Sequence, residues 1–160
     1  MTLSPAFQEI LFKKFTDTAI LEDYVEWALS ELEAGVDTPN LCILAGLTKP
    51  LYWWDLEHHF DKTLDELKVI LPQREHFLLQ CARKIAGEIV SGSIAPVAGC
   101  HKIYKIFLVL EYPSELSNWL YLDEELEPGT YRELSGAIWD AAIVREAKAL
   151  LASATCANEL

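Results

Sequence analysis

The segment Asp55-Leu56-Glu57-His58-His59-Phe60-Asp61 is the best candidate in the chain for metal or proton-transfer chemistry. On a helix, Asp55 shares a face with His58 three positions on and with His59 four positions on, while Glu57 pairs with Asp61. One carboxylate-x-x-His arrangement supplies half of a metal site. Dimetal sites in helical bundles need two such motifs plus two further carboxylates, and a closed zinc site needs about four ligands. A second copy is missing, because neither His76 nor His101 has an acid three positions earlier. The expectation is therefore a solvated His-Glu helix face with no metal and no cofactor. A small metal-binding or hydrolytic enzyme using the Asp55–Asp61 helix segment, with Asp55, His58 and His59 as the candidate ligands, is the alternative.

Cys100 and His101 are neighbours, and Cys81 adds a second thiol. A Cys-His nucleophile must meet its base in space at an electropositive site, whereas adjacent helical residues diverge by about 100°. Cys81 lies on the apolar series Phe77, Cys81, Ile85, Ile89, where cysteine acts as a small hydrophobe. No Gly-x-Gly-x-x-Gly, Gly-Lys-Ser/Thr or Gly-x-Ser-x-Gly pattern occurs. No catalytic residue is legible, so an enzyme is not expected.

The surface offers more. Tyr52-Trp53-Trp54 sweeps about 200° of helix circumference, so one core cannot receive all three rings. Trp119 and Tyr121 raise the same problem further along. Exposed aromatics of this size mark interface anchors. The formal charge of −12 disfavours nucleic acid and anionic lipid and favours a basic protein partner. These features point to a non-enzymatic protein-binding module, of which an inhibitory or immunity-type partner of a basic protein is one form. Its interface would be Tyr52, Trp53, Trp54, Trp119 and Tyr121, on a monomer or weak homodimer. An acidic nucleic-acid mimic is a further alternative, and would need carboxylates aligned along one edge.

Helices must position these residues. Ser4 caps a first helix with Pro5 in its first turn and Phe7, Leu11 and Phe15 as its stripe. A second begins at Asp17 or Thr18 and runs to about Ala34, burying Leu21, Val25, Ala28 and Leu32, with Glu31 among the solvated acids. Asp37 caps a third, with Leu41, Leu44 and Ala45 inward and Gly46 closing it. Pro50 opens a fourth carrying Trp53, Leu56, Phe60, Leu64 and Leu67, with a break near Asp61 and a restart at the capping box Thr63-x-x-Glu66.

Pro72 precedes a long fifth helix to Ser91, and Pro96 opens another through Leu110. The run from Ile103 to Leu110 has strand-like composition but no strand to pair with, so it reads as buried helix. A short segment follows from Ser114 to about Leu122, holding Leu116, Trp119 and Leu120. Asp123 to Gly129 reads as an acidic loop, Thr130-x-x-Glu133 as a cap, and Leu134, Ile138, Ala141, Val144 and Leu151 as the final stripe. The fold expected is all-α, seven or eight helices in stacked hairpins, as a single domain over 1–152 with a frayed tail over 153–160.

Two segments share one layout: Glu31-Leu32-x-x-Gly35-x-x-x-Pro39 and, 57 positions later, Glu88-Ile89-x-x-Gly92-x-x-x-Pro96. If the repetition is structural, the fold becomes a short two-unit solenoid-like array with the last helix as cap. The layout of Leu32-x2-Gly35-x-Asp37-Thr38-Pro39 with Leu44-Ala45-Gly46-Leu47 resembles a group of small, acidic, all-helical bacterial proteins with no assigned chemistry. Ile89-Val90-Ser91-Gly92-Ser93-Ile94-Ala95-Pro96 is similar to a later stretch of the same group. The resemblance implies an all-helical fold and the bacterial cytoplasm, and transfers no catalytic residue. Four scattered cysteines and an N-terminus without a basic-then-apolar leader also suit a reducing cytoplasm. The longest run free of acid and base, Ile89 to His101, is too short for a membrane span.

Overall fold

The computed structural model describes residues 4–124 and 136–156, and among them every regular element is helical. The elements are α1 (Pro5–Phe15), α2 (Leu21–Glu33), α3 (Pro39–Ala45), α4 (Trp53–Leu67), α5 (Arg74–Ser91), α6 (Pro96–Val109), a 3-10 turn (Ser114–Leu116), α7 (Ser117–Glu124) and α8 (Gly136–Cys156). The chain divides into two compact units, Met1–Pro72 and Gln73–Leu160.

In the first unit α1 packs on α2, α2 on α3 and α4, and α3 on α4. Ser4 starts α1 as expected, its Oγ accepting the Phe7 amide at 2.9 Å. Asp17 and Thr18 belong to the connection instead of to α2: Asp17 has φ 55°, and the Thr18 amide closes α1 by bonding Lys13 O at 2.9 Å. The start of α2 is fixed by Asp23, whose Oδ2 accepts the Ile20 amide at 2.7 Å. The stripe of α2 also differs from the aliphatic reading. Tyr24, Trp27, Ala28 and Glu31 are buried, whereas Leu21, Val25 and Leu32 are only half-buried.

Thr38, one residue beyond Asp37, caps α3 by accepting the Leu41 amide at 3.4 Å; Leu41 and Leu44 are buried and Ala45 is half-buried. Helix α4 begins at Trp53, after Pro50, and passes Asp61 without a break. Thr63 caps nothing: its hydroxyl is fully buried and donates to His59 O at 2.7 Å, one turn back in the same helix. The buried face of α4 is Leu56, Phe60, Thr63 and Leu64. Phe60 is the hub of this core, with its ring 4.9 Å from Trp27, 5.3 Å from Tyr24 and 6.3 Å from Phe7.

In the second unit α5 packs on α6 and α8, α6 on α7 and α8, and α7 on α8. Phe77, Ile85 and Ile89 line the buried side of α5 with Leu78, Ala82 and Ala86, and Cys81 is at its half-buried edge. The stretch from Ile103 onward is helix, with Ile103, Ile106 and Phe107 buried. Asp123 and Glu124 complete α7 instead of starting a loop; Glu125 to Gly129, the Thr130–Glu133 cap and Leu134 lie outside the described residues. Helix α8 buries Ile143, Ala147 and Leu150. Ile138 and Ala141 face outward, so the series drawn through them followed the wrong face. Helix α8 continues through Ala152 to Cys156, and 157–160 lie outside the described residues.

Candidate functional sites

The Asp55–Asp61 segment is occupied in holding helices together. The Nδ1 of His59 is 2.9 Å from Asn40 Oδ1, and a carbonyl oxygen can only accept, so His59 carries its proton on Nδ1. The Nδ2 of Asn40 donates to Glu66 Oε1 at 2.5 Å, and its backbone amide donates to Glu66 Oε2 at 3.1 Å. This network clamps the first turn of α3 to α4. Glu57 is engaged as well, bonding Lys14 Nζ at 2.8 Å. That ammonium sits 5.7 Å from the centre of the Phe60 ring and 5.9 Å from that of Tyr24. Burial opposes the Lys14 charge, yet the Glu57 bond and the Tyr24 contact leave its pKa raised. The exposed His58 ring meets His59 edge-on at 5.2 Å. Among the described residues no three His, Cys, Asp or Glu side chains are grouped to hold a metal ion.

The thiols are far from nucleophilic. Cys100 is fully buried and its pKa is pushed up to about 12, chiefly by burial, with the Asp123 charge adding to it. Burial pushes Cys81 up to about 11. His101 points elsewhere, its exposed ring pairing through Nδ1 with Asp123 Oδ1. A thiolate is the reactive form, so neither cysteine is primed by its surroundings.

The five aromatics read as an interface separate. In the first unit, Trp54 is 69% exposed and stacks on Tyr52, itself 51% exposed, at 6.3 Å between ring centres. Trp53 is half out, and its ring meets the buried Tyr24 edge-on at 5.9 Å. Trp54 continues along α4 as an exposed stripe with His58, Asp61 and Asp65, at spacings of four, three and four. In the second unit Tyr121 is exposed but Trp119 is completely buried. Helix α7 packs against both α6 and α8 and turns its largest apolar residue inward; Tyr121, about 200° further round, then faces water. Trp119 therefore leaves the candidate interface.

One site escaped the pattern of the sequence. The first unit contains a cavity of about 410 Å³ whose walls include Phe7, Trp27, Val36 and Leu64. Glu31 also lines it, although the residue is only 7% exposed. Its Oε1 receives the indole N–H of Trp27 at 3.2 Å and the hydroxyl of Ser4. The available signal was the pair Trp27-x3-Glu31 on one face of α2, which an aliphatic-only wheel discards.

No family model matches the chain, and no match was found among characterised proteins or solved structures. Among the described residues no helix is long and apolar enough to cross a membrane.

Proposed function

We propose that the chain is a non-enzymatic protein-binding module of the bacterial cytoplasm, acting as an inhibitory or immunity-type partner that receives a basic segment of another protein on α4. The observation that carries this reading is the exposed Tyr52–Trp54 stack at the head of a stripe that ends in Asp61 and Asp65. An indole face attracts Lys or Arg, and carboxylates about two and three turns away extend the same preference. A net charge of −12 would speed encounter with a cationic partner and make it salt-sensitive. The free thiols of Cys42, Cys81 and Cys100 support a reducing compartment.

The test is affinity capture from the native bacterial host with the wild-type chain and with Trp54→Ala. An exposed indole contributes little to folding, so the variant should keep its thermal midpoint and helical circular dichroism. Partner recovery should fall at least about tenfold, as for loss of an interface anchor. Equal recovery by the two proteins would sink the proposal.

A further inference from the structure

The cavity beside Glu31 presents a second, independent site. Its volume of about 410 Å³ lies within the range of about 300–1,000 Å³ typical of small-ligand pockets. The walls are mainly apolar, and among the described residues Glu31 is the only carboxylate on them. Both hydrogen bonds to Oε1 come from neutral donors, the Trp27 indole and the Ser4 hydroxyl. Among the described residues no lysine, arginine or histidine forms an ion pair with Glu31. A buried carboxylate held only by neutral donors is incompletely compensated, since what replaces lost hydration best is a paired positive charge. Lys68, the one cation on the lining among the described residues, belongs to the exposed rim with Ala34 and Ile70.

We propose that this cavity binds a small aliphatic primary amine, its ammonium group on Glu31 and its hydrocarbon body against Phe7, Trp27, Val36 and Leu64. The charge pattern selects the head group: positive at the buried wall, with no requirement at the rim, where water screens Lys68. The shape selects the body, because an apolar wall of this extent rejects a polar chain. Tyr52 and Trp54 are not part of the lining, so this inference does not rest on the protein-binding reading.

Three probes of equal length separate the contributions: octylammonium, octan-1-ol and octanoate. Each is titrated into the whole chain by calorimetry and by the indole proton–nitrogen resonance of Trp27. Octylammonium should saturate one site and bind about tenfold or more tightly than octanol, the difference expected of a charged hydrogen bond. Octanoate should bind most weakly. Glu31→Gln keeps an oxygen that accepts from Trp27 and Ser4 but removes the charge. It should erase most of the preference for the amine and leave octanol affinity unchanged. Ala34→Phe, at the exposed rim, tests the location without disturbing the carboxylate and should weaken amine and alcohol together. Absent saturation by octylammonium, an equal or tighter fit for octanoate, an amine preference that survives in folded Glu31→Gln, or amine binding indifferent to Ala34→Phe would each overturn the proposal. Should Glu31→Gln fail to fold, the three-probe order and the Ala34→Phe variant decide alone.

Discussion

At the end of α2 the Val36 amide bonds Glu31 O at 3.0 Å and the Gly35 amide bonds Leu32 O at 3.0 Å. At the end of α5, 57 positions later, Ser93 bonds Glu88 O at 2.9 Å and Gly92 bonds Ile89 O at 3.1 Å. Both glycines are left-handed, with φ of 88° and 76°, and a proline opens the next helix in each case. The two turns are the same device. The helices they launch are not. Helix α3 buries Leu41 and Leu44, two and five residues after its proline; α6 buries Gly99, Cys100 and Ile103, at three, four and seven. The carboxyl-bearing residue that opens the motif is buried at Glu31 and half-buried at Glu88. Shared punctuation thus repeats a backbone path without repeating the packing around it, and the cavity belongs to the packing.

The sharpest way to break this contrast is through the cores. Phe60 is fully buried among three other aromatic rings, whereas the second unit is built largely from Ile85, Ile89, Ile103, Ile106, Leu116 and Ile143. Phe60→Ala should cost about 3–5 kcal/mol in urea denaturation, and Ile103→Val about 0.5–1.5 kcal/mol. A loss below about 1 kcal/mol for Phe60→Ala would mean that the aromatic cluster does not hold the first unit.

The backbone features were the legible ones. Gly35, Gly92, Pro39 and Pro96 act through their own φ and missing atoms, so their meaning is local and survives without knowledge of neighbours. The faces of α2 and α8 were not legible in the same way. An aliphatic wheel through Leu21, Val25 and Leu32 competes with an aromatic one through Tyr24 and Trp27. The aromatic face wins because the hydrogen bonds from Trp27 and Ser4 let Glu31 be buried with it. Likewise nothing local distinguishes Trp54, which is exposed, from Trp119, which is not; the choice depends on which face of each helix its neighbours cover.

A smaller effect probes the helix contact that the first unit lacks. A Cβ on Gly99 would meet Ile89 Cδ1 at 2.6 Å and approach Cγ1 more closely still. The equivalent position after the first turn is Cys42, which is exposed and donates its thiol hydrogen to Asp37 Oδ1 at 3.3 Å. Overpacking costs about 1–3 kcal/mol, and alanine in a helix recovers about 1 kcal/mol over glycine. Gly99→Ala should therefore lose up to about 2 kcal/mol, and Ile89→Val in the same chain should return part of it. Cys42→Ala should change stability by less than about 0.5 kcal/mol. Equal losses at 42 and 99 would restore the case for a packing repeat.

The finest test replaces the two turn glycines themselves. A Cβ at either position meets nothing within 4 Å, so the penalty is confined to the backbone. An L-residue in the left-handed region costs about 1–2 kcal/mol, and the narrower unfolded ensemble of alanine offsets about 0.4–1 kcal/mol. Gly35→Ala and Gly92→Ala should each lose about 1 kcal/mol, within about 0.5 kcal/mol of one another, and asparagine at either site should lose less. Equality is the informative result, because it would mean that the turn is a local device in both units. A Gly35→Ala loss exceeding that of Gly92→Ala by about 1 kcal/mol would point instead to the surroundings of the first turn. Glu31 accepts the closing hydrogen bond through its carbonyl and lines the cavity, and Val36 donates that bond and lines it too. The excess would then measure how strongly the Gly35 turn is coupled to the cavity, and octylammonium at saturation should change it; at Gly92, which is not on the lining of that cavity, the amine should change nothing.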